Sequence, residues 1–82
     1  MRWADWICKA MRNLGGTATY DELYAELRRI RPPPFSADWK ATVRQTVERH
    51  SSDSENYREG NENLLYSVGG IGSGHWGLRG KL

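Results

Sequence analysis

The chain has 82 residues, a formal charge of +2 and a pI near 8.9, a length that supports one domain (1–82) around one core. Hydrophobic residues make up 38% and charged residues 27%, which is ordinary for a soluble globular protein, and no apolar run approaches the roughly 18 residues of a membrane span. The opening Met1-Arg2-Trp3-Ala4-Asp5-Trp6 lacks the apolar stretch of a signal peptide, and the single Cys8 has no partner for an internal disulfide, so a reducing, cytoplasmic compartment is expected.

In chain order, Trp3, Trp6, Ile7, Ala10, Met11 and Leu14 recur at helical spacing and predict a first helix from Arg2 to Leu14, stopped by Gly15-Gly16. Thr17-Ala18-Thr19 is long enough only for a turn or a brief strand. Thr19-Tyr20-Asp21-Glu22 has the capping-box pattern and opens a second helix, whose buried face is Tyr20, Leu23, Tyr24, Leu27 and Ile30. The run Arg31-Pro32-Pro33-Pro34 ends it, because the residue before proline avoids the α region. Ser36 is the expected N-cap of a third helix from Ala37 to about His50, with Trp39, Val43 and Val47 as its apolar stripe.

A polar segment, Ser51 to Asn63, leads to a strand, Leu64 to Val68, with Leu64, Tyr66 and Val68 expected on one face. The glycine-rich Gly69–Gly74 turn then returns the chain through His75-Trp76-Gly77-Leu78-Arg79, with Trp76 and Leu78 inward. Helix, brief strand, helix, helix, strand, turn, strand predicts an α+β fold of the winged-helix type: a helix-turn-helix variant with three helices and a C-terminal β-hairpin wing. Fold alone does not fix function, since some winged helices bind protein.

The third helix also carries a resemblance. An apolar residue, Lys, two variable positions, an aliphatic, Arg, Gln, one variable position and an aliphatic fall on Trp39, Lys40, Val43, Arg44, Gln45 and Val47. This resembles the winged-helix domains of modification-dependent bacterial restriction endonucleases, including those that cleave adenine-methylated DNA. The likeness extends to Trp6-Ile7, the Gly-Gly turn, Asp21-Glu22-Leu23-Tyr24, the ending from Gly72, and the Arg49–Ser54 run, which is similar to that of winged helices fused to other bacterial nucleases. The resemblance implies binding of double-stranded DNA carrying N6-methyladenine, at a GATC-like site, by a domain that guides a nuclease. These 82 residues hold no nuclease domain, which leaves a stand-alone reader and an excised piece of a nuclease as the two expectations.

With Val43 and Val47 facing the core, helix winding puts Ala37, Ala41, Arg44, Gln45 and Glu48 on the far side. A recognition helix lays such a face against base edges in the major groove. Gln45 suits a bidentate contact to adenine, Arg44 a guanine or a phosphate, and Glu48 a cytosine amino group. The small Ala37 and Ala41 leave room for a methyl group on adenine N6, with Trp39 either an apolar wall beside it or simply core. Lys40, Arg49, Ser51, Ser52 and Ser54 are candidates for phosphate contacts, Asp53 is a candidate for a turn, and a turn role is the equal alternative for Ser51. Arg79 and Lys81 give the C-terminal end two positive charges and no negative ones, whereas Asp53, Glu55, Glu59 and Glu62 make an acidic stretch expected to point away from DNA.

His50, His75 and Cys8 have no zinc-ligand spacing, no P-loop follows the glycine turn, and a Ser-His-Asp set drawn from His50 and its neighbours lacks an oxyanion hole. Neither a metal, a cofactor nor a catalytic residue is therefore expected. The competing reading is a protein-interaction winged helix with Trp3 and Pro32–Pro34 as surface anchors.

Overall fold

In the computed structural model, which describes residues 1–70 and 72–80, the chain runs α1 (Trp3–Asn13), β1 (Thr17–Thr19), α2 (Tyr20–Ile30), α3 (Trp39–Arg49), β2 (Leu65–Ser67) and β3 (His75–Leu78). The architecture is α+β, with three helices and one three-stranded antiparallel sheet. Lys81, expected beside Arg79 as a basic contact, lies outside the described residues.

α1 buries Ile7, Ala10 and Met11 of the stripe its spacing predicts, with Ala4 in addition, while Trp3, Trp6 and Leu14 are half-buried at the edge of the core. Its end is a Schellman motif: Gly15 N–H donates to the Arg12 carbonyl (3.1 Å) and Gly16 N–H to the Met11 carbonyl (2.9 Å). Gly15 has φ +93° and Gly16 φ +102°, conformations that residues with a β-carbon rarely adopt. The Gly16 carbonyl then accepts from Leu78 N–H at 2.9 Å, so the helix stop also holds the end of β3.

β1 passes into α2 without a loop because Thr19 ends the one and caps the other. Its hydroxyl accepts from Glu22 N–H (3.3 Å), and its own N–H donates to Glu22 Oε1 (2.8 Å), the reciprocal capping box that the sequence predicts. α2 buries Leu23 and Leu27 and stops at Ile30, where Arg31, which precedes Pro32, turns extended (ψ 126°).

α3 starts two residues later than expected. Ser36 caps nothing with its side chain; its carbonyl accepts from Trp39 N–H in a turn, and Asp38 is the N-cap residue. The predicted helix over 37–50 is thus Trp39–Arg49, and Ala37 lies in the turn before it rather than on the helix face. The apolar stripe of Trp39, Val43 and Val47 is buried as expected.

The sheet has the order β1-β3-β2. Its register pairs Ala18 with Trp76 on one side of β3 and Leu65 with Leu78, Tyr66 with Gly77 and Ser67 with Trp76 on the other. This reverses the expected face of β2. Leu65 is the core residue, while Leu64, Tyr66 and Val68 are only half-buried. Pairing with β3 sets Leu65 opposite Leu78 on the side of Trp76, and with a period of two that choice turns every neighbouring side chain outward. Ile7, Met11, Leu23, Leu27, Val43, Val47 and Leu65 close the core between the helices and the sheet.

Candidate functional site

The face of α3 opposite Val43 and Val47 carries Ala41 and Gln45, with Arg44 and Lys40 on its flank, all four exposed. Ala41 and Gln45 lie one turn apart on that face. Among the described residues Arg44 and Gln45 have no side-chain hydrogen bond and no ion pair, so their donors point to solvent unpartnered. Lys40 packs its ammonium over the Tyr24 ring, 5.2 Å from the centroid, which holds it on the α2 side of the face. Burial pushes the Tyr24 phenol up in pKa, and the positive charge of Arg44 opposes it. Arg28, from α2, lies over Trp39 at 5.4 Å and adds a further positive charge at this end.

Trp39 itself is corrected to core. It is 5% exposed and is enclosed by Phe35 (4.8 Å between centroids), Tyr24 (5.6 Å) and Trp3 (6.1 Å). A wall for a bound methyl group is not available from it, because its ring already has aromatic neighbours on several sides. Trp3, the expected protein-docking anchor, is likewise occupied: Arg31 lies 4.4 Å over its ring while Trp39 stacks on it.

The segment after α3 is built by its serines rather than left free for phosphate. Ser51 is fully buried, and its hydroxyl accepts from Asp53 N–H at 3.2 Å, so of its two expected roles it takes the turn and not the phosphate contact. Ser54 does the same for Asn56 N–H at 3.0 Å. Ser52 is exposed, yet its hydroxyl already accepts from Asn63 Nδ2 (2.8 Å) and from Arg79 (3.3 Å). Arg79 is a clamp rather than a free cation: its Nε donates to the Leu65 carbonyl at 2.7 Å and its guanidinium pairs with Asp53 at 3.2 Å. Asp53, expected to form a local turn, also accepts from Ser67 N–H at 2.9 Å and so joins the loop to β2. His50 Nδ1 faces the Thr46 carbonyl at 2.8 Å, so His50, Ser51 and Asp53 do not converge as a triad.

The acidic stretch does not point away as a block. Glu62 turns toward α1 and pairs with Arg2, but Asp53 and Glu55 fold back beside Glu48 of α3. Glu48 is half-buried and accepts from Asn56 Nδ2. The same loop brings Arg58 to a cleft of about 270 Å³ lined also by Gln45, Glu48, Arg49 and Asn56. Nothing in the sequence marks Arg58, which stands alone among acids there; only the return of the loop over α3 sets its charge beside Arg49.

Compared with protein-family models, curated proteins and solved structures, the chain matches none.

A second cavity, of about 280 Å³, opens between the start of α2, the end of α3 and the β2–β3 hairpin. Tyr20 and Trp76 form its aromatic walls, with ring centroids 6.4 Å apart and planes at 56°. Trp76 Nε1 is buried and has no hydrogen-bond partner among the described residues. Burial, then the nearby Glu48 carboxylate, pushes the Tyr20 phenol up to about 12, so it remains protonated at neutral pH. Among the described residues no three His, Cys, Asp or Glu side chains are grouped to hold a metal ion, and no helix is long and apolar enough to cross a membrane.

Proposed function

We propose that this chain is a winged-helix module that binds double-stranded DNA, with α3 in the major groove and the β2–β3 hairpin as the wing. The observation that carries the reading is the outward face of α3, where Arg44 and Gln45 stand exposed and unpartnered with Lys40 and Ala41 beside them. Polar groups without partners cost nothing in water and become useful only when a complementary surface arrives. Gln45 is the residue for adenine, through its amide oxygen and nitrogen against N6 and N7. Arg44 and Lys40 serve guanine or phosphate, and the Arg49 and Arg58 guanidinium groups serve phosphate at the side of their cleft away from Glu48. The β2–β3 hairpin that follows the three helices, paired to β1 in the order β1-β3-β2 and lining one cavity with Glu48 near the end of α3, supports the winged-helix assignment.

The motif resemblance extends the reading to duplexes carrying N6-methyladenine, for a stand-alone reader or the targeting module of a nuclease. Ala41, one turn before Gln45, supports it, because a methyl-sized side chain there leaves space for a methyl group on the base that Gln45 contacts. The module has a binding role and no reaction of its own.

The test is a fluorescence-polarisation titration of GATC-containing duplexes, methylated at adenine N6 and unmethylated, at two salt concentrations. Salt-sensitive binding with preference for the methylated duplex supports both parts. Salt-sensitive binding without preference removes the methyl reading, and no salt-dependent binding removes the DNA reading and favours a protein partner.

A further inference from the structure

The cavity between α2, α3 and the hairpin has a chemistry that phosphate contacts do not use. We propose that it binds one unstacked nucleobase bearing an exocyclic amino group, with the Trp76 indole N–H and the Glu48 carboxylate as its polar partners. The inference rests on the DNA-binding reading for its source of bases.

The size comes first. At about 280 Å³ the cavity falls just below the roughly 300–1,000 Å³ typical of drug-sized sites, which suits a guest of one ring system. Its aromatic walls, Tyr20 and Trp76, are tilted at 56° to one another, which gives a planar guest one face to stack on and one edge to meet.

The polar groups then narrow the guest. An indole N–H is a donor only, and here it is buried in a residue 7% exposed with no partner. The Tyr20 phenol comes near it without reaching hydrogen-bond geometry. The guest must therefore offer an acceptor. Glu48 and Glu55 are acceptors only, so the guest must also offer N–H donors. Glu48, Asp53 and Glu55 together, offset in part by Arg79 on Asp53 and by Arg44 near Tyr20, disfavour a phosphate or carboxylate inside the cavity.

An uncharged planar ring with a ring acceptor and an amino donor meets all of these demands. Adenine, cytosine and guanine carry an amino group whose two N–H bonds can meet Glu48 and Glu55 together, whereas thymine and uracil offer the single imide N3–H. The cavity opens beside Glu48, on the same helix as Arg44 and Gln45, so a base leaving the stack next to α3 has a short path to it. Unstacking costs a few kcal/mol and costs least where the base is already unpaired, which sets the design of the test.

The first arm follows the Trp76 indole resonance of the 15N-labelled full chain, assigned through its contacts with Tyr20, while adenosine, cytidine, guanosine and thymidine are added singly. A saturable shift with the amino-bearing nucleosides and none with thymidine is expected. Trp76→Phe, followed through the Gly74 amide, weakens binding about tenfold, the loss of one hydrogen bond; Glu48→Ala weakens it as well and keeps the indole in place should the first variant not fold. An equal shift with thymidine, or none with any nucleoside, overturns the proposal.

The second arm compares a fully paired duplex with the same duplex carrying one bulged adenosine or one bulged thymidine. Tighter binding of the adenosine bulge alone, lost in Trp76→Phe, is the expected result. If the paired duplex binds and the adenosine bulge adds nothing over the thymidine bulge, the cavity proposal fails while the DNA-binding module stands. If nucleosides bind and no duplex does, the base site stands and the DNA-binding module fails.

Discussion

A β-carbon on Gly77 would stand 2.6 Å from Cε1 and Cζ of Tyr66, its register partner across β2 and β3. The tyrosine ring thus lies over the backbone of the central strand, in the space a side chain at 77 would fill. Gly77 is buried for this reason, although it has no side chain of its own to bury. Gly77→Ala is expected to displace the ring and lower stability by about 1–3 kcal/mol, the usual cost of overpacking. Thermal melting checks it, with a fall in Tm of several degrees. In a Tyr66→Ala background the same substitution should cost much less, and equal costs in the two backgrounds would show that the residues do not interact.

Arg79 should behave as a structural residue. Its bonds to the Leu65 carbonyl, Asp53 and Ser52 tie the loop after α3 to the end of the hairpin. The ion pair is partly exposed and weak on its own, so the covered bond to the carbonyl carries most of the effect. Arg79→Ala is expected to lower unfolding free energy by about 1–2 kcal/mol and to leave the slope of DNA binding against log salt unchanged. A slope reduced by about one would instead make Arg79 a phosphate contact.

The two unpartnered residues of α3 should separate in their effects on DNA. Arg44→Ala is expected to weaken binding to every duplex and to flatten the salt dependence. Gln45→Ala is expected to relax preference at one base pair by about 1–3 kcal/mol and to leave the salt slope alone. Titrations of both variants against a set of single-base substitutions decide between these outcomes. Uniform loss for both would remove Gln45 from base reading.

Acid stability should report on Glu26. The Arg29 guanidinium, then the Asn13 amide at 2.9 Å, hold its carboxyl down at about 2, against an ordinary value of 4.5. A carboxylate whose folded pKa lies below its unfolded one adds stability above the unfolded value and loses it as pH falls toward the folded one. The stabilisation is therefore full above about pH 4.5 and fades between there and pH 2. Glu26→Gln should reduce the slope of stability against pH inside that window. An unchanged slope in denaturant titrations at several pH values would show that the pair contributes nothing.

Local signals were legible wherever the chemistry lies within a few residues of chain. Thr19 and Glu22 cap each other across one helical turn, Gly15 and Gly16 stop α1 with their own backbone, and Pro32 ends α2 through its effect on Arg31. The apolar stripe of α3, most of that of α1, and the exposed Ala41, Arg44 and Gln45 follow from helical periodicity, whereas Ala37 lies before the helix and Glu48 is half-covered by the loop that returns over α3. Hydrogen bonds and packing between distant segments were not legible in this way. The inward face of β2 depended on pairing with β3, and a shift of one residue exchanges Leu64 for Leu65. Ser52 and Arg79 looked like free phosphate donors because their partners, Asn63 and Leu65, become neighbours only when the loop closes, whereas the Ser51–Asp53 turn spans two residues and was legible as an alternative. The same closure made Arg58 a neighbour of Arg49 and set Glu48, Tyr20 and Trp76 around one cavity. Periodicity and capping act through the local backbone, so the sequence by itself determined the helices and the outward face of α3; which polar side chains stay free is decided by contacts across long sequence separations, and only the tertiary structure decided those.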